Sequence, residues 1–191
     1  MKTMNGNPEA SPRFKARAAG FFWLMTILAG GFAMFAGGGP APSLIATACY
    51  AVATLLVYQL LKPVDGTLSL LAAFLSLVGC VIGVLAVLQL ARSQVNPLVF
   101  FGCHCLMVGY LIFKSTFLPR ILGVLLAFGG LGWLTFLSPP LAAHLSPYVV
   151  FPGILGEASL SLWLLVVGVN APRWREMAAA PEGRSREALT C

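Results

Sequence analysis

Two ionisable residues stand inside long apolar stretches of the chain: His104, within Val99–Phe113 ("VFFGCHCLMVGYLIF"), and Glu157, within Pro152–Asn170 ("PGILGEASLSLWLLVVGVN"). The histidine lies between Cys103 and Cys105, which invites a metal ion. Successive residues on a helix are about 100° apart, so the two thiols point roughly 200° away from each other. They cannot converge with the imidazole on one ion, and neither a metal site nor a cofactor is read from this tripeptide. The five cysteines (Cys49, Cys80, Cys103, Cys105 and Cys191) are odd in number and scattered, without C-x-x-C spacing. They read as free thiols that behave as small hydrophobes.

A carboxyl at the centre of a bilayer costs about 2.5–3.5 kcal/mol on insertion scales, and intramembrane ionisable groups are functional candidates by default. His104 is seven residues from Pro97, about 10 Å along a helix, and Glu157 is nine from Tyr148, about 14 Å. Tyr50 falls at the level of His104, and Trp133 falls in the same half. The expectation is a buried cluster of Tyr50, His104, Trp133 and Glu157. The favoured reading is a structural hydrogen bond joining the histidine to the carboxyl, ahead of a ligand or proton pocket and of an unrelated placement of the two groups. Pro152–Gly153, just before Glu157, is a candidate kink that would widen a cavity there.

Composition decides what positions these residues. The 191-residue chain is 59% hydrophobic and 9% charged, with a net charge of +6 and a mean hydropathy of +0.89. Soluble domains carry about 25% charged residues, so lipid is the implied solvent. The basic residues gather in the tails and short connections, where anionic headgroups lie, which points to a bilayer as partner and away from nucleic acid.

Six uncharged runs read as membrane spans: residues 18–37, 43–61, 67–91, 97–113, 121–137 and 148–170. Turn chemistry separates them, as in "GGGPAPS", "KPVDG" and "SPPLAAHLSP". Pro119 suits the first turn of the fifth helix, with Ser115 or Thr116 as its cap. The first run, at 20 residues, exceeds the roughly 7–15 of a signal-peptide core and is kept as a span. With the N-terminus cytoplasmic, every basic residue except Arg92 falls inside, so both termini are placed in the cytoplasm. Residues 1–17 and 171–191 read as polar basic tails, both without fixed structure. Trp174, between Arg173 and Arg175, reads as a headgroup anchor.

In the third span, Gly79 and Gly83 are four residues apart, the spacing that lets a second helix approach closely. An intramolecular contact is favoured over a dimer face, with Gly129, Gly130 and Gly132 as the opposing surface. The oligomeric state is left open.

The segments "VFFGCHCLMVGYLIFKSTFLPRILGVLLAFGGLGWL" and "GEASLSLWLLVVGVN" resemble a bacterial six-span membrane family, domain of unknown function 4386. The likeness covers about residues 16–170. His104, Gly109, Tyr110, Pro119, Arg120, Glu157 and Trp163 fall on its pattern. Family members carry a longer segment between spans 1 and 2 than "GGGPAPS". The resemblance implies an all-α, polytopic bundle in the bacterial inner membrane and brings no activity with it.

The leading expectation is therefore a non-enzymatic, multi-pass protein of the bacterial inner membrane with no function assigned, and a buried polar pocket around Glu157 and His104 that takes a small-molecule ligand is secondary to it. One alternative is transport of a small solute or of protons past Glu157 and His104. A second is redox, with His104 touching haem or a quinone, although the other histidine, His144, lies in an outer loop. No catalytic set is read: G-x-S-x-G, H-E-x-x-H and paired aspartates are all missing from the sequence.

Overall fold

A computed structural model of the chain describes residues 11–36, 39–90 and 96–188. Lys2, Gly37, Ala91, Arg92 and Cys191 lie outside the described residues. Every element among those described is helical: α1 (Pro12–Ala36), α2 (Pro40–Leu61), α3 (Gly66–Val87), α4 (Pro97–Lys114), α5 (Arg120–Leu134), α6 (Pro139–Leu145), α7 (Val150–Val166) and α8 (Ala171–Ala188). A single 3-10 turn, Thr135–Leu137, follows α5.

Five helices are long and apolar enough to cross a membrane: α1 to α4, and α5 with its 3-10 turn. The pair α6 and α7 adds a sixth if it counts as one crossing, since the two are bent by 82°. Their break lies at residues 146–149, not at Pro152–Gly153 as expected. Helix α7 begins at Val150, so Pro152 falls in its first turn. An N–H there would have no partner within the helix, so proline costs nothing.

Helix ends depart from the apolar runs for local reasons. Helix α1 starts at Pro12 and carries Arg13, Lys15 and Arg17 on its first turns, because a helix continues through charge once it is nucleated. Helix α3 starts on Asp65, whose side chain accepts from Leu68 N at 2.9 Å, and it stops before Gln89, which takes φ 57°. Asn96 caps α4 by accepting from Leu98 N at 3.0 Å. Ser115 does not cap α5. It closes the end of α4, its hydroxyl donating to Ile112 O at 2.8 Å, while Pro119 occupies the N-cap position of α5 without a side-chain bond.

Six helices form a closed ring in the order α1, α2, α3, α4, α5, α7, each touching the next and α7 returning to α1. Small residues set the tightest contact. Gly102 and Gly109 on α4 face Gly130 and Gly123 on α5, so the two backbones lie directly against each other. A Cβ at Gly109 would sit 2.6 Å from Gly123 O, and one at Gly130 would sit 2.8 Å from Gly102 O. Gly79 of α3 meets Phe100 and Phe101 of α4, and Gly83 lies near Pro97. The opposing surface for α3 is thus α4. Gly129, Gly130 and Gly132 instead face α4 and α7, and α3 makes no contact with α5.

Residues 171–188, expected to lack order, form α8. Trp174 docks this helix by donating its indole N–H to Leu60 O at 2.8 Å, one of the last carbonyls of α2. Arg173 reaches Thr116 O at 3.2 Å, and Asn170 N donates to Phe117 O at 3.2 Å. Trp174 is accordingly half-buried against the bundle.

Candidate functional site

Glu157 is held by its neighbours in the ring and not by His104. Trp23 on α1 donates its indole N–H to Oε2 at 2.8 Å. Trp133 on α5 donates to Oε1 at 2.6 Å, and the thiol of Cys105 on α4 points at the same oxygen at 3.8 Å. Two N–H donors suit the acceptor-only carboxylate form, which offers about four lone-pair sites. Hydrogen bonds to a charged group are worth about 1.5–3 kcal/mol each. Two of them offset much of what a carboxyl costs away from water.

His104 occupies a neighbouring niche. Its Nδ1 bonds the Ala72 carbonyl of α3 at 2.9 Å. A carbonyl only accepts, so Nδ1 carries the proton, and in the neutral ring Nε2 is a bare acceptor. Nε2 is buried without a partner, as is the hydroxyl of Tyr50. The three rings of Trp23, Tyr50 and His104 pack mutually, with centroids 5.7 to 6.0 Å apart. Every one of the six ring helices therefore contributes at this level: Trp23, Tyr50, the Ala72 carbonyl, His104 with Cys105, Trp133 and Glu157. Each of these side chains is at most 8% exposed.

The four residues expected from the sequence gather around one point, but the direct bond between imidazole and carboxyl is missing among the described residues. Helices α4 and α7 are not neighbours, since α5 stands between them. Trp23 was not anticipated, nor was Cys105 as a neighbour of the carboxyl. Cys105 is fully buried and Cys103 half-exposed, in keeping with opposite directions on the helix. His144 is exposed on α6.

One neighbour of Glu157 depends on a glycine. A Cβ at Gly153 would run into the indole of Trp133, 2.7 Å from its Nε1. Only glycine leaves room for the ring that donates to the carboxyl one turn further along α7. The following glycine, Gly156, rests on the backbone of α5, where a Cβ would lie 2.5 Å from Leu125 O.

A cavity of about 230 Å³ reaches this cluster from the end of the bundle where α1 finishes and α2, α4 and α7 begin. Tyr50, Trp133 and Glu157 stand on its wall, with Phe101, Thr26 and Thr47 among the others, whereas His104 lies behind the wall. Beyond Glu157 the interior is closed by Ala19, Leu126, Leu160 and Leu164, each fully buried.

Residues 92–168 match the family described as "Domain of unknown function (DUF4386)". That segment carries His104, Cys105, Trp133 and Glu157 but not Trp23 or Tyr50. An uncharacterized protein of Archaeoglobus fulgidus is 30% identical over 121 residues, covering 59% of this chain and 72% of the relative. No solved structure matches. The family match across α4 to α7 and the archaeal relative place the chain, an all-helical protein with several apolar helices, in the family of domain of unknown function 4386.

Proposed function

We propose that the protein is a six-span protein of the bacterial cytoplasmic membrane, with both termini inside, that binds a small solute in a pocket opening on the outer face. The role is one of binding and not of catalysis. The observation that carries it is the Glu157 carboxyl, clamped by Trp23 and Trp133 at the base of a cavity of about 230 Å³. Proteins do not maintain a carboxyl at membrane depth without a use for it as often as they maintain one that binds or relays.

Orientation is supported by charge. Arg13, Lys15, Arg17, Lys62, Lys114, Arg120, Arg173 and Arg175 lie at the bundle end away from the cavity mouth. Basic residues favour the cytoplasmic side. At that end Lys114 stands over the ring of Tyr110 (4.9 Å) and Arg120 over Phe113 (5.5 Å), as interfacial anchors do. Transport across the membrane needs a path beyond Glu157, and the packed side chains there support binding over passage.

The experiment is thiol labelling in intact cells of a bacterial host with a membrane-impermeant maleimide. Thr47→Cys, on the cavity wall, is expected to react from outside above the wild-type background. Thr116→Cys, between α4 and α5, is expected to react only after permeabilisation. Labelling of Thr116→Cys in intact cells would reverse the orientation, and an inert Thr47→Cys in folded protein would remove the open pocket.

A further inference from the structure

We infer that the pocket takes a small organic cation, an alkylammonium head with a short apolar body. This rests on the pocket reading above and names its ligand class.

The wall offers what a cation needs and little that an anion could use. No Lys, Arg or His lines the cavity. The hydroxyls of Thr26 and Thr47 are committed to helix carbonyls, Phe22 O at 3.0 Å and Ser43 O at 2.9 Å. The Trp133 N–H is committed to Glu157. That leaves the Tyr50 hydroxyl as the unpartnered polar group of the wall, buried and 4% exposed. Against this stand one carboxyl and the rings of Tyr50, Phe101 and Trp133, while a fourth ring, Phe35, is 71% exposed at the mouth. Tyr50 and Phe101 already form an edge-to-face pair, with centroids 4.7 Å apart. Aromatic rings around a carboxyl are the arrangement that recognises ammonium groups, through ring quadrupoles and charge together.

The carboxyl itself lacks a counter-charge. The two indoles orient it but are neutral, and the imidazole of His104 turns its N–H to Ala72. A buried charge is tolerable when it is paired. Two of its roughly four lone-pair sites are taken by the indoles, so capacity remains on the cavity side. Size sets the rest. Pockets for drug-sized ligands run to about 300–1,000 Å³, so a cavity of about 230 Å³ admits only a few carbons around the head.

The test is isothermal titration of the full chain in lipid nanodiscs with choline and with its neutral carbon isostere, 3,3-dimethyl-1-butanol. Choline is expected to bind about tenfold or more tightly than the isostere. Phe101→Leu is expected to weaken choline severalfold and leave the isostere nearly unchanged, and Glu157→Gln to erase the preference. Equal binding of the two probes overturns the cation and leaves the pocket standing. If neither probe saturates the wild type, the cation also falls, and labelling of Thr47→Cys then decides whether the pocket falls with it. The comparison of probes on wild-type protein stands even if Glu157→Gln fails to fold.

Discussion

The indole N–H of Trp23, in the first helix of the ring, donates to Oε2 of Glu157 in the last, across 134 residues of chain and 2.8 Å of space. This bond joins α1 to α7 and closes the ring of helices at the level of the site. In lipid the apolar faces of two helices gain little by meeting, so a polar contact of this kind decides which helices stay together. Glu157 is thus a structural clasp as well as the base of the pocket.

Removing one donor should therefore loosen the bundle. Trp133→Phe keeps the ring and deletes the N–H, leaving Oε1 with only the distant thiol of Cys105. The expected loss is about 1.5–3 kcal/mol. It is read as a lower midpoint in thermal unfolding of the detergent-solubilised protein. Glu157→Gln should be no better tolerated, because one of its two terminal atoms is an NH₂ facing an indole donor. A midpoint for Trp133→Phe equal to wild type would remove the clasp.

A double-mutant cycle separates the contact the structure contains from the one expected from depth alone. Trp133→Phe with Glu157→Leu should couple by about 1 kcal/mol or more, as residues in contact do. His104→Leu with Glu157→Leu should couple more weakly than that pair, since Nδ1 of His104 bonds Ala72 and the two residues communicate only through the shared Trp23 ring. Strong coupling of His104 with Glu157 would restore the direct pair.

Much of this was legible in the residues. Long uncharged runs locate the helices, and the distance of Tyr50, His104, Trp133 and Glu157 from their turns puts them at one level. Rotation about each helix axis was not legible, because lipid-facing and interior positions are equally apolar in a membrane. The Trp23 indole looks like any other apolar group in a span until its N–H is given a partner. Of Cys103 and Cys105, spacing showed that they diverge but not which one turns inward. Depth could not reveal that α4 and α7 are separated, because the order of helices around a ring is a tertiary fact.

Gly153 offers a test of how closely the site is built. Gly153→Ala adds one methyl at the place the Trp133 indole occupies. The ring must move away from Glu157, so the variant should lose stability comparably to Trp133→Phe. Combining the two should cost less than their sum, because phenylalanine is the smaller ring. Tryptophan emission should also shift in Gly153→Ala, which keeps all four tryptophans. Full additivity in thermal unfolding would show that the methyl acts elsewhere.

Helix α8 gives a prediction that leaves the site untouched. Trp174 holds it to α2 through Leu60 O, and Arg173 holds it to the turn before α5 through Thr116 O. A hydrogen bond is worth about 0.5–1.5 kcal/mol net between neutral groups, as for Trp174, and about 1.5–3 kcal/mol with a charged group such as the Arg173 guanidinium, enough to govern a helix with few other contacts. Trp174→Phe with Arg173→Ala should free α8, so that limited trypsin digestion cuts within residues 171–188 many times faster. The stability of the ring, read from its thermal midpoint, should stay within about 0.5 kcal/mol of wild type, because Trp23, Trp133 and Glu157 lie beyond the reach of these contacts. A matching fall in the midpoint would show that α8 supports the ring and is not merely tethered to it.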